Sequence, residues 1–156
     1  MSVSPIPPGY HSITPYLIVG DARAAIDFYE RAFNAEKTLQ KDGPGGKIMH
    51  AEIKIGDSIV MLADEFPEMG AVGPATLGGV AGSLMIYTED VDAMFAQALA
   101  AGAVEKRPVQ DQFYGDRSGI LVDPQGHEWN IATHTEDLTP EEIDQRFEAM
   151  MKQHGA

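Results

Sequence analysis

YLIVGDARAAIDFYERAFNAEK, Tyr16 to Lys37, and LMIYTEDVDAMFAQALAAGAVEK, Leu84 to Lys106, carry nearly the same pattern about 70 residues apart. Each opens on an apolar strand, passes through an aspartate suited to cap a helix, runs on as an amphipathic stretch and ends where a second strand begins. A second pair of phrases keeps almost the same offset. IGDSIVMLA at Ile55 to Ala63 is echoed by QGHEWNIAT at Gln125 to Thr133, with Gly56 and Gly126 each opening an apolar strand. A spacing this long marks a duplicated module rather than a solenoid, and a binding site is expected where two similar halves face each other.

Working outward, the first module occupies about 13–63. Its strand from Ile13 to Val19 leads to Asp21 and a helix whose Ala22, Ile26, Tyr29 and Phe33 recur at three- and four-residue steps, giving one buried stripe. An edge strand through Thr38 to Lys41 precedes the turn Gly43 to Gly46. In Lys47 to Ile55, alternation puts Met49, Ala51, Ile53 and Ile55 on the apolar face, and Ile48, His50, Glu52 and Lys54 on the other. Residues 64–82 hold seven glycines or prolines without periodicity and read as a linker, with a lid as the lesser possibility. The second module, about 83–134, repeats the order with Asp90 as cap and a helix using Val91, Met94, Phe95 and Leu99. Each half is βαβββ, an α+β arrangement within a single domain spanning 1–156. A final helix over 139–153 is announced by Thr139-Pro140-Glu141-Glu142, a capping box with proline at the first helical position. Its Ile143, Phe147 and Met150 share one side, which predicts packing on the domain or on a second subunit.

Composition narrows the function. The chain has 156 residues, 44% of them hydrophobic, enough to bury a real core. It contains no cysteine, which excludes disulfides, thiolate nucleophiles and Cys-ligated metal sites and suits a cytoplasmic address. A net charge of −13 opposes nucleic acid and anionic membrane surfaces as partners. No apolar run is long enough to span a membrane, and the first twelve residues, MSVSPIPPGYHS, read as a Pro-rich arm rather than a secretory signal. GxSxG, P-loop and HExxH motifs are absent.

Two βαβββ modules in one short chain resemble the vicinal oxygen chelate superfamily, the group of glyoxalase I, bleomycin resistance proteins and extradiol dioxygenases. The resemblance covers Ile13 to His134. The phrases TPYLIVGDARAAIDFYERAF (Thr14 to Phe33), HAEIKIGDSIVMLAD (His50 to Asp64) and YGDRSGILVDPQGHEWNIATH (Tyr114 to His134) look like its PhnB-like branch. The resemblance implies a curved mixed sheet, and in the superfamily's usual enzymes one divalent metal held by the first and last strand of each module. Those positions fall here on Thr14, Met61, Ser83 and Asn130. Hydroxyl, thioether and amide groups cannot replace a His/Glu quartet for Mn, Fe, Ni or Zn. No metal or other cofactor is therefore expected at these positions, and usual glyoxalase I or dioxygenase activity is disfavoured.

Strand alternation adds Tyr16, Ile18, Ile59, Met85, Tyr87, Glu128 and His134 to the face bearing those positions, and His50 and Glu52 share it. Aromatics, methionines and convergent polar groups are what a small-molecule cavity uses. His50 can act as general acid or base, ligate a metal, or simply be hydrogen-bonded at a cavity wall. An unorthodox metal site from His50, Glu52, Glu128 and His134 is chemically possible. Tyr114-Gly115-Asp116-Arg117 opens a strand, where an arginine fork can hold a carboxylate or phosphate while Gly115 admits close approach. The alternative is a local Asp116 to Arg117 brace. Asp123 to Gly126 is a turn, His127 reads as structural, and Trp129 faces the helix side as core.

The reading that follows is a small-molecule-binding protein with a ligand on the inner sheet face, contacted by Tyr16, His50, Glu52, Met61, Tyr87, Tyr114, Asp116, Arg117, Glu128, Asn130 and His134. An enzyme drawing on His50, Glu52 and Arg117 is the alternative, and an assembly protein with a vestigial cavity is a third. A homodimer is expected, since the superfamily pairs modules within or across chains and unpaired strand edges are liabilities.

Overall fold

The computed structural model describes residues 2–155. The first module comprises β1 (Tyr16–Val19), α1 (Ala22–Phe33), β2 (Glu36–Asp42), β3 (Ile48–Ile55) and β4 (Ser58–Asp64). The second comprises β5 (Ser83–Tyr87), α3 (Val91–Ala101), β6 (Val104–Asp111), β7 (Asp116–Val122) and β8 (Glu128–His134). Between them lies the short α2 (Pro74–Leu77), and α4 (Pro140–Gln153) closes the chain. The predicted caps are in place. Asp21 accepts from Ala24 N and Asp90 from Ala93 N, each at 3.0 Å, so each helix begins where its aspartate meets a free N–H. The capping box of α4 is complete from both sides.

Each module forms one four-stranded mixed sheet, ordered β1-β4-β3-β2 in the first and β5-β8-β7-β6 in the second. In both, the first strand runs parallel to the last and the remaining pairs are antiparallel. The halves do not join strand to strand among the described residues. They meet through α1 against α3, and one hydrophobic core draws Phe28, Tyr29 and Phe33 together with Phe95, Leu121 and Trp129. The Trp129 ring lies 5.0 Å from Phe33 and 5.4 Å from Tyr29, centroid to centroid. Trp129 is thus core, as alternation predicted.

Asp123 is the polar joint of this core. Only 4% exposed, it accepts from Gln125 N and His127 N within its own turn, and from Tyr29 OH at 2.5 Å and Trp129 Nε1 at 2.8 Å. Burial, and next the neighbouring Asp123 carboxylate, hold the Tyr29 hydroxyl well above its ordinary pKa. His127 also serves structure, its Nε2 meeting Ile18 O at 2.9 Å across the module boundary.

Several sequence expectations change. The first strand starts at Tyr16 rather than Ile13, which is 86% exposed. In β3 the alternation breaks: Ile48 is buried and Met49 exposed, the reverse of the expected faces. The cause is a bulge, because β2 advances one residue from Lys41 to Asp42 while its partner advances two, from His50 to Ile48. Residues 64–82 hold a 3₁₀ turn at Pro67–Met69 as well as α2, braced by Glu65, whose carboxylate accepts from Gly73 N and Thr76 Oγ1. The segment packs against Val19 and Gly20 through Gly73, and against the Gly126 turn through Pro74. Finally, α4 buries no residue among those described; Phe147 rests on Phe113 at 5.5 Å and remains 44% exposed. No described helix is long and apolar enough to cross a membrane.

Candidate functional site

Because the helices take the inward side of each sheet, the opposite strand faces are left open, with Tyr16 48%, Met85 44% and Tyr87 61% exposed. Each of these faces carries a hydrogen-bonded cluster of titratable groups.

In the first module, register places Tyr16, Met61 and Glu52 in one cross-strand row, with His50 two residues along from Glu52 on the same face. Tyr16 OH lies 3.0 Å from His50 Nδ1, and His50 Nε2 lies 2.7 Å from Glu52 Oε2. The Tyr10 hydroxyl, from the N-terminal arm, donates to the other Glu52 oxygen. Glu52 is 6% exposed, a buried carboxylate reached only through its hydrogen-bond partners. If Nε2 donates to Glu52, Nδ1 accepts from Tyr16, and the four side chains form a path along which a proton can move.

The second cluster centres on Asp116, 4% exposed at the start of β7. Its carboxylate accepts from Tyr87 OH and meets His134 Nδ1, both at 2.8 Å, while His134 Nε2 lies 2.8 Å from Asp137 Oδ1. Hydrogen bonds to Asp116 first, and then Asp137, raise the His134 pKa above its ordinary value. The Tyr87 hydroxyl is raised as well, chiefly by its hydrogen bond to Asp116. No hydrogen bond joins the two clusters among the described residues.

Other candidates fall elsewhere. Arg117 points to the opposite side of β7 from Asp116 and grips Asp92 with two bonds, at 2.8 and 3.0 Å, plus Asp111 at 3.2 Å. Its fork is occupied by its own chain, so it braces α3 to the sheet. The partner is not Asp116, as a local brace would require. Gly115, at φ +94°, approaches not a ligand but the backbone: a Cβ there would stand 2.5 Å from Glu136 O. Tyr114 packs edge-on against Phe113 at 5.1 Å. Glu128 pairs with Lys106 at 2.6 Å, and Asn130 Nδ2 donates to Ser83 Oγ at 3.3 Å. Thr14 precedes β1. The residues His50, Glu52, Glu128 and His134 do not converge, and no group of three described His, Asp or Glu side chains is arranged to hold a metal ion.

Sequence reading missed Tyr10, Asp137 and Arg107. The first two lie in irregular segments where no periodicity assigns a direction. Arg107 lies between two register shifts of β6, which conceal its face from an alternation count.

A cleft of about 1090 Å³ takes in Tyr87 of the second cluster but no side chain of the first. It runs along β5, whose outer edge has no strand partner among the described residues, and is walled by Phe33, Val60, Leu84, Ile86, Met94 and the turn at Gly56 and Asp57.

The sequence pattern of the Glyoxalase/Bleomycin resistance protein/Dioxygenase superfamily matches residues 9–131. The chain belongs to this superfamily. Among relatives, an uncharacterised protein of Mycobacterium bovis is 39% identical over 135 residues, covering 85% of this chain and 89% of the relative. An uncharacterised protein of Mycobacterium tuberculosis strain H37Rv matches at the same 39% over 79% of its own length. Among solved structures, TioX from Micromonospora sp. ML1 is 26% identical with a TM-score of 0.63, covering 83% of this chain and all (100%) of that one. The fosfomycin resistance protein FosX from Listeria monocytogenes has a TM-score of 0.61 over 85% of this chain and 97% of its own; at 18% identity it testifies to the superfamily fold alone.

Proposed function

We propose that this superfamily member binds a small organic molecule on the helix-free strand faces, without the divalent metal on which the superfamily's usual enzymes rely. The observation that carries the reading is the pair of aromatic, acid and imidazole clusters, Tyr16–His50–Glu52 and Tyr87–Asp116–His134, presented on open sheet faces rather than locked in the core. Such convergent polar groups beside exposed aromatic and thioether surface are what orient a ligand. The donor set at the superfamily metal positions does not fit the ion: Thr14, Met61, Ser83 and Asn130 supply only neutral, weak ligands, and Asn130 spends an N–H on Ser83. The three sequence phrases support a place in the PhnB-like branch.

A second copy of the chain completes the site in this reading. Among the described residues the outer edges of β1 and β5 are unpaired, the cleft lies along β5, and Tyr16, Met85 and Tyr87 stand exposed beside those edges. Pairing β1 of one copy with β5 of another satisfies both edges and brings a first-module cluster to face a second-module cluster. Sedimentation should therefore report twice the chain mass.

An enzyme reading is favoured by one observation, the continuous Tyr16–His50–Glu52 path, which suits acid–base chemistry. One experiment separates the two: a thermal-shift screen against metabolite and antibiotic libraries, run with metal analysis of the purified protein and of His50→Ala. A hit weakened in His50→Ala, from protein carrying no stoichiometric metal, supports binding. Stoichiometric Mn, Fe, Ni or Zn that vanishes in His50→Ala overturns it in favour of a metalloenzyme.

A further inference from the structure

Four of the chain's five arginines sit within 4 Å of a carboxylate: Arg23 with Asp42, Arg31 with Asp27, Arg117 with Asp92 and Arg146 with Glu136. Arg107 is the exception. In a chain of net charge −13, no carboxylate of the described residues pairs with it. It is also not a free surface cation, because it is half-buried and its Nε is shielded from water without a hydrogen-bond partner. Its single protein bond among the described residues runs from Nη2 to Ser118 Oγ at 2.8 Å. A guanidinium carries five N–H donors, and a desolvated cation left so little compensated is costly unless something else meets it.

Placement says what that is. Register shifts flank Arg107 on both sides within β6, and they bring it to the same face as Ser118, the helix-free face of the second module. Ser118 is two residues along β7 from Asp116, so Arg107 lies beside the Tyr87–Asp116–His134 cluster. Its cross-strand partner Ile120 is in turn paired with Asn130. Pro108 follows directly and offers no backbone N–H to compete for an acceptor.

We propose that Arg107 is the anchor for an oxyanion, a carboxylate or a phosphate or phosphonate group, on the ligand bound at the helix-free face of the second module. The assignment rests on the small-molecule reading above and adds the charge of the molecule. A planar fork matches two oxygens of such a group at once, which an ammonium would not do. The rest of the ligand then extends over Ser118 toward Tyr87 and His134, whose aromatic surface and polar tips meet its less polar part.

The test uses the full-length protein and three probes: benzoate, its neutral isostere benzamide, and inorganic phosphate, at constant chloride. NMR follows the Arg107 Nε–H resonance and the ring signals of Tyr87 and His134. Benzoate and phosphate are expected to shift the Arg107 signal, with benzamide at least tenfold weaker. The two anions also distinguish a carboxylate from a phosphate ligand by which binds more tightly. Arg107→Met should bring benzoate down to the level of benzamide, and Arg107→Lys, which keeps the charge but loses the fork, should fall between. Circular dichroism and unshifted core signals such as the Trp129 indole establish that the variants are folded, and the wild-type benzoate and benzamide comparison needs no variant. Equal binding of benzoate and benzamide, an Arg107 signal unmoved by both anions, or unchanged benzoate binding in folded Arg107→Met would each overturn the assignment. If a neutral or cationic library compound perturbs Tyr87 and His134 while the anions leave Arg107 unmoved, the ligand face stands and the anion assignment falls.

Discussion

Replacing Asp123 should do more damage than replacing any other acid in the chain, because four donors end on one carboxylate and two of them are sealed in the shared core. Asp123→Ala leaves the Tyr29 hydroxyl and the Trp129 indole N–H buried without acceptors, at about 1–3 kcal/mol each. The amides of Gln125 and His127 lie in a turn and recover part of their loss from water. The sum is a destabilisation of about 3–5 kcal/mol, a large share of the roughly 5–15 kcal/mol that holds a domain folded. Urea unfolding followed by Trp129 fluorescence measures it, with Asp123→Asn expected to lose about half as much because one acceptor oxygen remains. A cycle with Tyr29→Phe isolates the link between modules and should return a coupling of about 1 kcal/mol or more. An Asp123→Ala loss below about 1 kcal/mol, or a coupling near zero, would refute the view that this carboxylate ties the two halves through their helix sides.

Three further outcomes follow from the same geometry. His134 should keep its proton to higher pH than a free imidazole, whose pKa is about 6.5, and Asp116→Asn should bring the midpoint down in an NMR titration. Since the folded pKa is the raised one, the contact's contribution to stability is complete below the unfolded value and is lost as pH climbs through the folded value; a pH-independent stability difference between wild type and Asp116→Asn across that window would contradict this. Gly115→Ala must push a Cβ to 2.5 Å from Glu136 O at a left-handed φ, a cost of about 1–3 kcal/mol by urea unfolding, and a neutral result would show that the backbone approach is not rigid. Arg117→Met should leave ligand affinity unchanged, because its fork already holds Asp92; a tenfold loss measured by calorimetry would return Arg117 to the site.

What the sequence made legible is what periodicity encodes. The duplication, both aspartate caps, the capping box before α4 and the burial of Trp129 all follow from spacing, and all hold. His50 and Glu52, two apart on one strand, were bound to share a face, and they do. Alternation failed where register slips: the β3 bulge exchanged Ile48 and Met49, and the β6 shifts hid Arg107. Pairings between distant segments, such as Arg117 with Asp92 or Tyr10 with Glu52, left no local signal. Nor did the pattern say how the halves meet. An apolar stripe shows which side avoids water, and here both stripes found one another, so within one chain the halves meet through their helices and the polar strand faces are left open.

The most direct test of the account is a crystal structure of the protein with the tightest hit from the library screen. The account predicts the molecule between Tyr16, His50 and Glu52 of one copy and Tyr87, Asp116 and His134 of another, with no metal ion in contact. A ligand seated in the β5 cleft against Phe33 and Val60 of a lone chain, or held by a metal ion, would contradict it.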